Sequence, residues 1–535
     1  MKRLFYLILI LSVPGLGCKK FLSTEPQDFL APEFYYNTEE AQLSSLAGVY
    51  NPLSTAAVYG DAMFNQLGAG TDESFRSAKS STTGVWVYNY DYANGDVNAL
   101  WSQLYKGVER ANLLIANIDL APMDETKRAA VLGEAKFLRG YYYFLLVSTW
   151  GGVPLRTTPI TSAKEVSFPR ASIQEVYTQI LKDMEEAEAL VYPITQFNHA
   201  SRVSKTTVQA ILARVCLTMA GYPLQDESKY AEALKWATMV KQSGIHSLLT
   251  SPVKRDRDNN SGYSQVFVHL TAEQYNIKES MWEAEQKGNR TDGYTSNGRL
   301  GNDIGIGFTA DNYPDSGYCY GNIRITDTLY KLFKPGDLRK DWACAPFSYN
   351  STTGARVYFT ATSDNYSRAA AKWRRTYEPE GIVKDKNYTG TNFPIIRYAD
   401  VLLMLAEAEN KVHGATAVAY EAFNQVRRRA YGKPLDQPDA IADLTPGLDP
   451  EKFQLEIQDE RSRELCFETL RRPDLIRWGI FVDKMNKVGE QFKKYNGSYS
   501  YGYLAGASVT KRHLLFPIPS SEITVNKVAT QNPGW

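Results

Sequence analysis

Apolar residues recur at alternating steps of four and three along two adjoining runs, and the rest of the chain is organised around them. Leu100, Leu104, Val108, Ala111, Leu114 and Ile118 share one face of a helix, and Val131, Ala135, Leu138, Tyr142, Leu145 and Thr149 share a face of a second. Pro122 lies between the runs, so the spacing predicts two antiparallel helices joined by a short turn. From Tyr141 to Leu146 no polar stripe is left, and the second helix is expected to be surrounded by others.

The helical pattern continues on either side of the chain's middle. Ser172 and Glu175 form a capping box before Val176, Ile180, Met184, Ala187 and Leu190, which fall on one face. Residues 205–220 and 229–243 predict a further pair, with Ala210, Ala213, Ala220 and Ala233 small enough for close approach. A later pair carries Val401, Leu405, Ala408 and Val412, then Ala419, Phe423, Val426 and Ala430. These read as tetratricopeptide-like hairpins at irregular spacing, able to stack into a scaffold.

Between about residues 245 and 395 this periodicity is lost. Gly, Asn, Asp, Ser and Tyr dominate, and QVFVHL (265–270) and ARVYFTA (355–361) predict a few short β-strands. The fold class is therefore mainly α with a loop-rich region, and a loop region of this length is where recognition is expected.

Composition narrows the function. The chain has 535 residues, 43% hydrophobic and 22% charged, as in a folded protein with a large core. A formal net charge of +1 with no long basic run gives no case for nucleic acid. The 35 Tyr and 9 Trp are unusual, because many stand in Gly- and Asn-rich stretches. Of the five cysteines, Cys216 and Cys466 sit in helical patterns as small hydrophobes, whereas Cys319 and Cys344 lie in a loop-rich region and could pair as a disulfide in an exported protein, though no spacing fixes their geometry. The five histidines are scattered without HExxH, so no metal site and no cofactor is expected.

At the N-terminus, Lys2 and Arg3 precede an apolar run from Leu4 to Val13, too short to span a bilayer and read as a secretory signal over residues 1–17. The GLGC sequence ending at Cys18 resembles the lipobox of bacterial lipoproteins, in which the cysteine is acylated. Further runs carry a wider resemblance: KKFLSTEP after Cys18, LYKGVERANLLIANID, AKFLRGYYYFLLVSTWGGVPL, PIIRYADVLLMLAEAEN, ERSRELCFETLRRPDLIRWG and the ending LLFPIPSSEITVNKVATQNPGW. In this order they resemble the SusD/RagB family of Bacteroidetes surface lipoproteins along almost the whole chain.

The resemblance implies a SusD-like helical fold, with residues 18–245 as an N-terminal helical region and 246–535 as a C-terminal region bearing the loops. It implies a lipid anchor at Cys18 in the outer membrane, facing the exterior. The implied partner is a SusC-like TonB-dependent transporter, to which the lipoprotein hands a bound glycan or, in some relatives, a peptide. Lys19 and Lys20 stand where acidic residues often follow the cysteine in lipoproteins sent to the cell surface, so surface exposure is implied by the family rather than by that signal.

Ligand contacts must be argued from the residues. In TTGVWVYNYDYANGD, an extended backbone would turn Trp86, Tyr88, Tyr90 and Tyr92 to one side. Such a row could stack on sugar rings, with Asn89, Asp91, Asn94 and Asp96 placed for hydroxyls, or it could pack beneath the helix beginning near Val97. Tyr294, Tyr313, Tyr318, Tyr320, Trp342 and Trp373 are further candidates, each able to serve as its loop's own core. Glu460 and Glu464, near Arg461, Arg463 and Arg471, are weighed as acid and base, but carboxylates one turn apart lie side by side, and a buried ion-pair network is preferred. Asp72 and Glu73 are read as loop caps before hydroxyl binders. Three functions follow: a non-catalytic glycan-capture lipoprotein, which is preferred, a surface glycoside hydrolase, or a helical scaffold binding only protein or peptide.

Overall fold

The computed structural model describes residues 35–535 except 78, 80, 163, 165, 252–260, 288–297 and 311–315. The readings placed on residues 1–17, Cys18, Tyr294 and Tyr313 lie outside the described residues.

The two runs that open the pattern are α2 (Gly95–Ala116) and α3 (Glu125–Trp150), preceded by α1 (Glu39–Tyr50). Asn94 caps α2 and Asp124 caps α3, each accepting from backbone amides of the first turn. The two helices approach closely because Gly107 faces the Tyr142 ring, where a Cβ would stand 2.4 Å from the ring carbon. Tyr141, Tyr142, Tyr143 and Leu146 are fully buried, and each such side chain contributes about 1.5–3 kcal/mol of apolar burial. On the other side α3 meets α4 (Ile173–Leu190), fastened by the buried Arg139–Asp183 pair at 2.7 Å. The capping box at Ser172 and Glu175 forms as the spacing predicts.

The scaffold continues through α5 (Lys205–Ala220) and α6 (Lys229–Gln242), then α7 (Gly262–Thr271). The later hairpin is α8 (Tyr398–His413) with α9 (Ala417–Ala430), followed by α10 (Pro450–Leu465), α11 (Arg471–Arg477) and α12 (Phe481–Lys493). Helix α8 packs against α6, α9 and α10, so the hairpins of the two halves join in one core. Among the described residues no helix is long and apolar enough to cross a membrane.

The strands are short and pair in twos, all antiparallel: β1 (Ser74–Arg76) with β3 (Ile323–Ile325), β2 (Ser280–Ala284) with β6 (Phe393–Arg397), and β4 (Phe347–Tyr349) with β5 (Arg356–Tyr358). ARVYFTA contains β5 as expected, but QVFVHL lies within α7. That segment is buried on nearly every side, and a short apolar run buried all round carries no period to separate strand from helix. A second correction concerns the cysteines: Cys319 and Cys344 are buried free thiols. Cys319 bridges to Phe308 and Cys344 to Ala370, so their backbones belong to different ladders.

Candidate functional site

The run from Thr82 to Asp96 is not extended. Val85–Val87 form a 3-10 turn, Tyr88 has a left-handed φ of 55°, and Gly84 and Asn89 close the loop by paired backbone hydrogen bonds. Gly84 is required there, since its φ is 136° and a Cβ would stand 2.2 Å from the Trp86 ring. The alternation is thereby broken and the four aromatics part company. Tyr88 is buried against Phe481 and His513, with its hydroxyl donating to the Gly70 carbonyl. Tyr90 is covered by the C-terminal segment, through His513, Phe516 and Trp535. Tyr92 is 51% exposed, and Trp86 is half-buried. Asn89 donates to the Thr82 carbonyl, Asp91 accepts from the Ala93 amide, and Asn94 is spent on the α2 cap.

Trp342 and Trp373 are buried core residues, not ligand contacts; Trp342, on the one-turn helix Lys340–Ala343, packs on Tyr377, and Trp373 packs on Phe267. Tyr320 is 39% exposed and stands edge-on to Tyr318 at 5.0 Å.

Two of the candidates, Trp86 and Tyr320, stand at opposite ends of a cluster of charged residues that the pairing of β1 with β3 helps to assemble. Arg76, at the end of β1, lays its guanidinium over the Trp86 ring at 4.7 Å and donates to Gln66 Oε1 at 2.7 Å. Phe75, Arg76, Ser81, Trp86 and Tyr501 line a crevice beside it. Just before β3, Tyr320 lies 5.8 Å from the guanidinium of Arg299, which grips Asp303 through two nitrogens at 2.5 and 3.1 Å.

Asn65 joins the two ends, its amide nitrogen donating to Asp61 Oδ1 at 3.0 Å and to Asp303 Oδ2 at 3.2 Å. Asn322 donates a further bond to Asp303 at 3.0 Å. The resulting order is Trp86, Arg76, the Asp61–Asp303 pair, Arg299, Tyr320.

Burial pushes the Asp61 carboxyl up to about 7 and the neighbouring Asp303 charge adds to this, against the pull of Asn65 and Arg299. Burial lowers the Arg76 guanidinium, opposed by Asp303, Asp61 and Asp96. Arg76 forms no ion pair among the described residues, and the Asn65 carbonyl oxygen is buried without a donor, an arrangement that costs about 1–3 kcal/mol. Sequence reasoning missed Asp61, Asn65, Arg76, Arg299, Asp303 and Tyr501, because they come from four separated segments with no shared spacing.

The carboxylates weighed as catalytic are structural. Glu460 and Glu464 are fully buried on α10; Arg339 reaches them at 2.7 and 3.1 Å, and Arg429 and Arg397 reach Glu464 at 2.6 and 3.1 Å. Burial alone would raise Glu464, but the Arg429, Arg397 and Arg339 guanidiniums outweigh it and hold the carboxyl well below the usual range. Asp72 is no loop cap: it is buried and pairs with Arg471 through both oxygens, at 2.7 and 2.8 Å. Glu73 accepts from Ser462 at 2.8 Å.

A second cleft, of about 330 Å³, lies between α2, the loop after α3 and the short helix Ser520–Val525. Several of its polar groups are already engaged, Tyr105 with the Pro154 carbonyl, Asn526 with that of Phe168, and Arg156 with Glu109.

Fold and site together define a class of protein: a helical-hairpin scaffold whose loops present an aromatic and charged surface. The chain belongs to the SusD/RagB family. Residues 278–535 match the model of the SusD family, and residues 20–217 match the one described as starch-binding associating with outer membrane. SusD-like protein P25 of Formosa agariphila is 26% identical over 98% of this chain and 97% of its own length. The starch-binding protein SusD of Bacteroides thetaiotaomicron is 24% identical over 75% of this chain and 72% of its own. The crystal structure of a SusD homolog from Bacteroides thetaiotaomicron superposes with a TM-score of 0.85 at 28% identity, covering 94% of this chain and 98% of that one.

Proposed function

We propose that this protein is a non-catalytic, outer-membrane lipoprotein that captures a glycan and delivers it to a SusC-like TonB-dependent transporter. The observation that carries the reading is the placing of Trp86 and Tyr320 at the two ends of the Arg76–Asp61–Asp303–Arg299 cluster. Ring faces suit the apolar faces of sugars, and a surrounding set of half-exposed donors and acceptors suits hydroxyls. The family model described as starch-binding and outer-membrane associated supports the ligand class and the location, and a structural neighbour described as a laminarin binding SusD-like protein adds to it. Acylation at Cys18 supplies the anchor in this reading, with the body facing the exterior.

The hydrolase alternative lacks support in the geometry. Glycoside hydrolysis places two carboxyl groups on either side of the scissile bond, about 5–10 Å apart. Asp61 and Asp303 instead share one amide nitrogen, and Glu460 and Glu464 are sealed by arginines.

Calorimetry of the chain from residue 19 onward against a polysaccharide panel, followed by product analysis, tests the reading. Binding without cleavage, weakened by Trp86→Ala and Tyr320→Ala, is expected. Cleavage of the bound polymer, or binding that ignores both substitutions, overturns it.

A further inference from the structure

The charged cluster between Trp86 and Tyr320 is unfinished in a particular way. Asp303 is fully engaged, by Arg299 through two nitrogens, by Asn322 and by Asn65. Asp61, half-buried, accepts from the Asn65 side-chain amide and shares a side-chain hydrogen bond with Asp303, which requires a proton on one of the two carboxyls. Asn65 is 2% exposed, and it spends both amide protons on the two carboxyls while its own carbonyl has no donor among the described residues. Asp61 is the more accessible carboxyl of the pair, and once ionised its oxygens can accept from donors that a polyhydroxylated ligand supplies.

Resting on the capture reading above, we propose that Asp61 is a specificity-determining residue of the saccharide site, that it accepts sugar hydroxyls as a carboxylate, and that capture therefore releases a proton. The charged groups facing Asp61 are Asp303, Arg299 and, farther along the cluster, Arg76. Asp303 and burial favour the protonated form, whereas Arg299 and the Asn65 amide favour the ionised one. With these opposed, the free carboxyl titrates at about 7, so its state changes across the neutral range. Hydrogen bonds from hydroxyls to an ionised carboxylate are stronger than those to a neutral acid, so a bound saccharide draws the group toward ionisation.

The sign follows from linkage. Binding that prefers the ionised form strengthens as pH rises through the free-state value, levels off above it, and weakens below it by up to about tenfold per pH unit. The proton lost by Asp61 goes to solvent buffer, and no other covalent bond is made or broken.

The experiment takes the soluble chain and the glycan selected from a panel that includes starch and laminarin, with Trp86→Ala as the check that binding is at this site. Titration calorimetry at pH 6, 7 and 8, repeated at pH 7 in two buffers of different ionisation enthalpy, is expected to show affinity up to about tenfold weaker at pH 6 than at pH 8. It is also expected to show release of up to roughly half a proton per ligand at pH 7. In Asp61→Asn both the pH slope and the proton release disappear. An affinity that is flat with pH, proton uptake instead of release, or a slope retained in Asp61→Asn overturns the proton link while leaving glycan capture intact. The buffer comparison on the unmodified chain decides the matter even if the variant folds poorly. If no saccharide in the panel binds, the capture reading fails and the proposal falls with it.

Discussion

The surroundings of Arg397 and those of Arg76 are built from the same residue types, arginine, carboxylate and aromatic ring, yet they are completed differently. Arg397 is 1% exposed and touches Glu279, Glu464 and Glu468, which are held as well by Arg429, Arg339 and Lys372. The cluster around Arg76 is half-exposed, its guanidinium has no ion pair among the described residues, and the Asn65 carbonyl is left over. A buried charge survives only when paired, so dense ion pairing marks a structural network, and a guanidinium without an ion pair at an accessible place marks a candidate site. The type of residue does not distinguish the two; the state of its partners does.

The comparison is broken most directly at its buried side. Arg397→Met leaves three buried carboxylates short of a partner and is expected to destabilise the fold by about 3–5 kcal/mol, read as a fall in the urea midpoint. An unchanged midpoint would mean that the network is not holding the C-terminal helices.

Trp373→Ala and Trp86→Ala should separate the two kinds of tryptophan. The first empties a site in the core and is expected to cost about 3–5 kcal/mol of stability while sparing glycan affinity in whatever folds. The second is expected to weaken binding roughly 30-fold, about 2 kcal/mol, with the smaller effect on unfolding. Reversed outcomes, measured by calorimetry and chemical denaturation, would exchange the roles assigned to the two residues.

Acid sharpens the contrast further. Burial pushes Glu460, Glu407 and Asp400 up, but neighbouring arginines prevail and hold all three at about 2. A carboxylate depressed in the folded state gives stability that is present above its unfolded value and is lost as pH falls through the folded one. Stability is therefore expected to drop between about pH 4.5 and 2. Glu73 runs the other way, raised to about 7 by burial and by Asp72 against the pull of Arg471. It costs stability as pH rises from about 4.5 to 7, and Glu73→Gln should remove that part of the slope in urea titrations at pH 4, 5, 6 and 7.

The smallest effect is expected at Tyr92. It is exposed and lies outside the Arg76 cluster, so Tyr92→Ala should change stability by no more than about 0.5 kcal/mol. Glycan affinity should stay within about twofold, and a larger loss would extend the site toward the N-terminus of α2.

The helices were legible because each carries its own period. Leu100 to Leu114 and Val131 to Tyr142 mark faces that α2 and α3 bury, although Leu145 and Thr149 on the same face of α3 are only half-buried, and Ser172 with Glu175 caps α4 where the spacing places it. The buried network around Glu460 and Glu464 was also anticipated, since two carboxylates one turn apart cannot flank a substrate. The errors came where local pattern is silent. QVFVHL is buried on nearly all sides and so has no clear phase, and the aromatic alternation from Trp86 to Tyr92 was undone by a short turn closed between Gly84 and Asn89 that alternation does not signal.

The sequence by itself determined the helical scaffold and the family resemblance, because amphipathic faces and capping residues act over a few positions of one segment. Only the tertiary structure decided which loop aromatics reach the surface and which carboxylates find arginines. Asp61, Arg76, Arg299 and Asp303 meet through the pairing of β1 with β3 and the packing of distant loops. Their chemistry is a property of that meeting, since burial and partner charge, not residue type, set the proton on Asp61 and the partners left to Arg76.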